Sequence, residues 1–231
     1  MKAPSILFAI PCYGGQVQDT CMHGIYKFAK HAPKYGIEHE LYLVSNESLI
    51  STGRSNIANF FVNDTDFDYL MCIDSDIGFQ WQDILKLLSH NVEFVTAPYS
   101  MKVIPPQYNF LIHPSRETHK ELIRLEHIGT GFHLVHRNVF MKMAQYYPDL
   151  KYIPESNHRY ISDAVKNNSF HFYQTMIDGD IIPEDISFCR RYNDIGGKIW
   201  LDAEINLTHA GNHIFEGSPN LKDQLMKGIK S

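Results

Sequence analysis

Short apolar runs alternate with stretches of helical spacing through the first hundred residues. Residues 5–10 (SILFAI), 40–44 (ELYLV), 69–73 (YLMCI) and 93–97 (EFVTA) read as strands. Between them, residues 20–31, 51–62 and 82–89 place apolar side chains at helical intervals, the second behind a Ser/Thr cap. Nearly continuous apolar strands separated by helices predict an α/β fold with a mixed, mostly parallel, Rossmann-like sheet and helices on both faces. Ligands of such sheets bind beyond the carboxyl ends of the strands. Pro11-Cys12-Tyr13-Gly14-Gly15 follows the first run and Asp74-Ser75-Asp76 the third, so both are expected at one crevice.

The second half is less regular. Residues 122–126 and 132–136 read as strands, with a helix from Asn138. Residues 157–168 are polar and read as a loop, and residues 171–176 as a strand. Pro183-Glu184-Asp185 starts a helix that Gly196-Gly197 stops, and residues 198–206 read as another strand. With no repeat or linker, the 231 residues are expected to form a single domain, nucleotide-binding over about 1–100 and acceptor- and metal-binding over about 101–220.

Apolar residues make up 44% of the chain, enough for a full core. The net charge of −5 argues against non-specific nucleic-acid binding, which needs a basic surface. A nucleotide ligand remains compatible, because a cation can neutralise its phosphates. None of the four cysteines forms a C-x-x-C pair, which predicts reduced thiols and a cytoplasmic protein. No segment approaches the roughly 18 apolar residues of a membrane span.

Five clusters can carry chemistry. Asp74 and Asp76 leave an apolar strand at i and i+2, where a turn can bring both carboxylates to one hard cation such as Mg2+ or Mn2+. Two solvated turn aspartates are the plain alternative. Thr208-His209-Ala210-Gly211-Asn212-His213 reads as a loop, with His209 on the metal and His213 near phosphate. Glu184 and Asp185 sit at a helix start, where they either cap it or take a proton from an acceptor hydroxyl. Arg54, near the start of a helix, can hold phosphate or orient the first aspartate. Gly129-Thr130-Gly131-Phe132 permits close approach of backbone to a ligand, or is a simple turn.

Taken in order, these elements resemble the GT-A class of nucleotide-sugar glycosyltransferases, as a small single-domain member, over roughly residues 6–215. The resemblance implies that Pro11, Cys12 and Tyr13 contact the base and ribose of a nucleotide-sugar donor. It implies that Arg54, Asp74, Ser75 and His213 also serve the nucleotide, and that Asp74, Asp76 and His209 hold Mn2+ or Mg2+. Gly129, Thr130, Gly131 and Phe132 would line the sugar and acceptor pocket, with Asp185 and Glu184 as the catalytic acidic pair. Phe188-Cys189-Arg190-Arg191-Tyr192 replaces the aromatic signature that follows this pair in many inverting members, which leaves inversion and retention both open.

The function so implied is metal-dependent transfer of a sugar, from UDP by default or from GDP, to a hydroxyl acceptor such as a glycan. Two rivals use some of the same parts. A nucleotidyltransferase making a nucleotide sugar needs a basic glycine-rich loop after the first strand, and residues 11–15 contain no Lys or Arg. A non-catalytic carbohydrate-binding module would stack sugars on Tyr13, Tyr99, Tyr108 or Trp200.

Overall fold

The computed structural model describes residues 3–154 and 162–230. In chain order the strands are β1 (Ile6–Cys12), β2 (His39–Ser45), β3 (Tyr69–Ile73), β4 (Ile77–Gly78), β5 (Phe94–Thr96), β6 (Phe110–Ile112), β7 (Thr118–His119) and β8 (Leu122–Ile128). They continue with β9 (Phe132–His136), β10 (Lys151–Tyr152), β11 (Ser169–Phe170), β12 (Met176–Ile177), β13 (Ile181–Ile182), β14 (Ile199–Leu201), β15 (Thr208–Ala210) and β16 (Ile214–Glu216). The α-helices are α1 (Asp19–His31), α2 (Ile50–Asp64), α3 (Trp81–Ser89), α4 (Arg137–Tyr146), α5 (Asp163–Asn167), α6 (Glu184–Asp194) and α7 (Leu221–Lys230).

The main sheet has nine strands in the order β2-β1-β3-β9-β5-β14-β8-β6, with β7 also on β8. Only β8 and β9 run against the other seven. The protein is thus α/β with a mixed sheet that is mostly parallel in strand direction, as the alternating pattern predicts.

Strand alternation sends side chains to both faces of the sheet. Ile6, Phe8 and Ile10 of β1 and Met71 and Ile73 of β3 pack with Cys21, Ile25 and Phe28 of α1 and Ile84 and Leu87 of α3. Leu7, Ala9, Leu70 and Cys72 face the opposite way. They pack with Ile57 and Phe61 of α2, Phe140 and Met143 of α4, and Phe188 and Tyr192 of α6. Every residue of β3 is buried, which fixes where the chain must leave the core.

Several local expectations change. β1 runs on to Cys12 because Pro11 and Cys12 still pair with Val44 and Ser45 of β2; β3 pairs only as far as Ala9. Pro11 therefore sits where no second neighbour needs its missing N–H. The α2 N-cap is Leu49 and makes no side-chain cap bond. Residues 171–176 are not a strand: Gln174 N–H closes a turn on the His171 carbonyl, and Phe172 and Tyr173 are buried in the core. The strand expected over 198–206 ends at Leu201, where the buried Asp202 carboxylate receives Lys86 and His90. Of the loop expected over 157–168, residues 157–161 lie outside the described residues, and Asp163–Asn167 forms the short helix α5. Met176–Ile182 forms the hairpin β12-β13 ahead of α6.

Candidate active site

Asp74, Ser75 and Asp76 form a tight turn between β3 and β4, tied down on every side. Asp74 N–H donates to the Gly131 carbonyl at 2.8 Å, and Ile77 N–H closes the turn on the Asp74 carbonyl at 3.0 Å. Gln18 N–H donates to the Ser75 carbonyl and Ala210 N–H to the Asp76 carbonyl, each at 2.8 Å. Three backbone bonds from separate parts of the chain, and one within the turn, hold two carboxylates at the carboxyl end of a buried strand. Gly129 and Gly131 reach the same edge because β9 runs antiparallel to β3, with Phe132 opposite Ile73.

The two carboxylates have different partners. Asp74 Oδ1 accepts from Arg54 Nη2 at 2.8 Å. Arg54 is 5% exposed, and its Nη1 also donates to the carbonyl and hydroxyl oxygens of Thr130, at 2.9 and 2.6 Å. Of its two expected roles, the one this geometry fits is orienting the first aspartate. Asp76 Oδ2 instead lies 2.7 Å from Lys102 Nζ and 3.4 Å from His209 Nε2. Burial raises the Asp76 pKa, but the contacts of His209 and Lys102 outweigh it and bring it down to about 2.

His209 is pre-oriented. Its Nδ1 is 2.9 Å from the Ser100 carbonyl, an oxygen that can only accept. Nδ1 therefore carries the proton, and Nε2 faces Asp76. Anchoring one ring nitrogen on a backbone carbonyl fixes the imidazole as it does in metal-binding histidines; here the other nitrogen meets the Asp76 carboxylate. Among the described residues no group of three His, Cys, Asp or Glu side chains converges as a metal site. The expected trio therefore reduces to a pair, Asp76 and His209, with Asp74 held aside by Arg54. One carboxylate and one imidazole fit Mn2+ or Mg2+ as a partial set, completed by water and substrate phosphate.

Tyr99, just beyond the end of β5, links the halves of the site. Its hydroxyl accepts from Gly131 N–H at 3.1 Å, and its ring meets His209 edge-on at 5.4 Å between centroids. A Cβ at Gly129 would lie 2.6 Å from that hydroxyl, and one at Gly131 would lie 2.7 Å from it and 2.8 Å from Asp74 Oδ2. The Gly-x-Gly motif is accordingly explained by Tyr99 and Asp74 closing over it. Gly129 N–H donates to the Asn109 carbonyl, and Asn109 Nδ2 approaches Asp185 Oδ2 at 3.3 Å. Asp185, in the first turn of α6, is in this way connected through Asn109 and Gly129 to the Tyr99 hydroxyl.

Other expected residues divide by exposure. Tyr13 is 77% exposed beyond β1, whereas Cys12 is buried and its thiol turns to the Ile10 carbonyl, so only its backbone can meet a ligand. Phe132 is corrected: it is fully buried against Phe79 and cannot line a sugar pocket. Thr130 is also buried, its oxygens occupied by Arg54. His213 is exposed in the β15-β16 turn, its ring against Phe215. Glu184 is half-buried beside Asp185. Tyr99, Lys102 and Asn109 were not singled out for these roles from sequence. Tyr99 had a signal, its place past a strand's carboxyl end; Lys102 and Asn109 lie in a loop with none. Trp200 is 6% exposed and offers no stacking platform; Tyr108 is half-buried, its hydroxyl accepting from Ser218 N–H.

No protein-family model and no curated protein sequence matches this chain. Solved structures do. The crystal structure of A197 from STIV superposes with a TM-score of 0.53 at 16% identity, over 94% of this chain and 91% of that one, which places the two in one fold. More distant likenesses, both with a TM-score of 0.45, include a putative glucose-1-phosphate thymidylyltransferase from Bacillus anthracis in complex with a sucrose, 11% identical over 98% and 96% of the two chains. The other is a UDP-glucose pyrophosphorylase complexed with UDP-glucose, 8% identical over 98% and 97%. At that distance neither bears on the chemistry of this chain.

Proposed function

We infer that this chain is a metal-assisted glycosyltransferase that moves a sugar from a nucleoside diphosphate, UDP by preference, to a hydroxyl acceptor. The observation that supports this best is the pairing of Asp76 with a pre-oriented His209, beside a tyrosine that leads through Gly129 and Asn109 to Asp185. In this reading the chain acts as one catalytic domain.

Asp76 and His209 would hold Mn2+ or Mg2+, which supplies charge neutralisation for a departing diphosphate. Tyr13 and the backbone of Pro11 and Cys12 receive the base and ribose. Ser75 and Asp74, fixed by Arg54, border the ribose and donor sugar, and His213 borders the phosphates. The acceptor oxygen bonds to the anomeric carbon as the bond from that carbon to the diphosphate oxygen breaks. Where the configuration inverts, Asp185 takes the acceptor proton, with Glu184 beside it. Asn109 holds Asp185 by one oxygen, Oδ2, and the Ile186 N–H holds the other, so the carboxylate is oriented before substrate arrives.

A nucleotidyltransferase remains the second reading, favoured by one observation. Gly14 and Gly15 both adopt positive φ, 74° and 70°, in a short turn right after β1, with nothing near the position of a Cβ. Such a turn can admit phosphates, but it has no basic residue. Product analysis separates the two. With sugar nucleotides, acceptor and Mn2+, the first reading expects nucleoside diphosphate release that chelator and Asp76→Ala abolish. Pyrophosphate release from a nucleoside triphosphate and a sugar phosphate would instead establish the second.

A further inference from the structure

Lys102 lies on the long connection between β5 and β6, where residues 101–107 are all exposed. Its ammonium is 2.7 Å from Asp76 Oδ2, the oxygen that His209 Nε2 also faces. Its aliphatic stem rests over Gly211, where a Cβ would come within 3.2 Å of Lys102 Cδ. Two separate features therefore fit this placement: a carboxylate at the head and a glycine under the stem. The side chain is 42% exposed, so solvent offers it a way out.

We propose that Lys102 is a tethered cation that holds Asp76 until a divalent ion arrives and then transfers to the diphosphate of the donor. The proposal rests on the reading of Asp76 and His209 as metal ligands. A divalent ion on the Asp76 oxygen that Lys102 holds would repel the ammonium and weaken its hold. The displaced ammonium, on a flexible stem with three donors, then meets the nearest new negative charge, the phosphates bound beside the metal. Lys102 would thus lower the affinity for free metal and raise the affinity for the metal–nucleotide pair, so that the site fills with both together.

Lys102→Met tests this, since it removes the charge and keeps the stem over Gly211. In calorimetric titrations, Mn2+ alone should bind the variant roughly fivefold more tightly than wild type. UDP, titrated at saturating Mn2+, should bind the variant roughly fivefold more weakly. A merely structural lysine would move both affinities in the same direction or neither, and either result overturns the proposal. Asp76→Asn separates the two levels. If it abolishes Mn2+ binding while Lys102→Met equals wild type, the tethered cation fails and the metal site stands. If wild type and Lys102→Met both fail to bind Mn2+ alone, the proposal fails; if UDP binding to both is also indifferent to Mn2+, the metal reading fails with it.

Discussion

Arg54, Asp74 and Tyr99 close around the backbone of Gly131. Arg54 is buried and paired, the geometry in which removing one partner strands the other. The glycines give a sharp test. At Gly129 an added Cβ would meet the Tyr99 hydroxyl at 2.6 Å, and its next neighbours lie at 3.5 Å. At Gly131 it would meet the hydroxyl at 2.7 Å but also Tyr99 Cζ and Asp74 Oδ2, both at 2.8 Å. Gly129→Ala and Gly131→Ala should each cost about 1–3 kcal/mol by overpacking and depress transfer. Adding Tyr99→Phe should recover most of the loss at Gly129 and little at Gly131. Equal recovery at both positions, measured by thermal unfolding and transfer rate, would contradict this account of the motif. In sequence, these glycines offered only a choice between a simple turn and room for a ligand. The contact that decides it joins residues about thirty positions apart, a separation that no local pattern encodes.

At the scale of elements, the strands and helices of the first hundred residues were legible because the apolar runs of β1, β3 and β5 are buried in the sheet, while β2 at its edge keeps Leu41 and Leu43 exposed. The second half was less so. Its strands are short, and their ends are set by particular polar contacts. Asp202 is the clearest case, a fully buried carboxylate that ends β14 by receiving Lys86 at 2.9 Å and His90 at 2.8 Å. Asp202→Ala leaves the buried His90 without this partner and should cost about 3 kcal/mol, lowering Tm by roughly 6–12 °C. Glu204, which also binds Lys86 and binds Lys222, is largely exposed. Glu204→Ala should change stability by less than about 1 kcal/mol. Similar losses for both variants, by calorimetry, would show that burial is not what distinguishes these ion pairs.

For the whole molecule, the sheet's two-sided burial carries a pH signature. His133 is fully buried on the face covered by α2, α4 and α6, with Nε2 3.1 Å from the Tyr173 hydroxyl. Burial, helped by the nearby Arg54 charge, lowers its pKa to about 3. An unfolded histidine titrates near 6.5. The folded state therefore binds fewer protons between these values, so the contribution is intact above pH 6.5 and is lost as pH falls toward 3. Stability should fall by up to about 1.4 kcal/mol per pH unit from this group. His133→Gln should flatten the profile below pH 6.5, and an unchanged acid limb in urea titrations would contradict the assignment.

β3 and β5 of this sheet, the small β4-β15 pairing and the start of α6 bring Asp76, Tyr99, His209 and Asp185 together from four separated parts of the sequence. The acidic turn and its late histidine were legible as types and positions. Their partition was not, because it depends on which cation reaches which carboxylate. The most direct measurement is calorimetric titration of UDP into wild type and Asp76→Ala, with and without Mn2+, after confirming that the variant's circular dichroism is unchanged. The account predicts UDP binding that needs Mn2+ in wild type and is lost in Asp76→Ala. Binding that is equal with Mn2+ or chelator, and equal in both proteins, would contradict it.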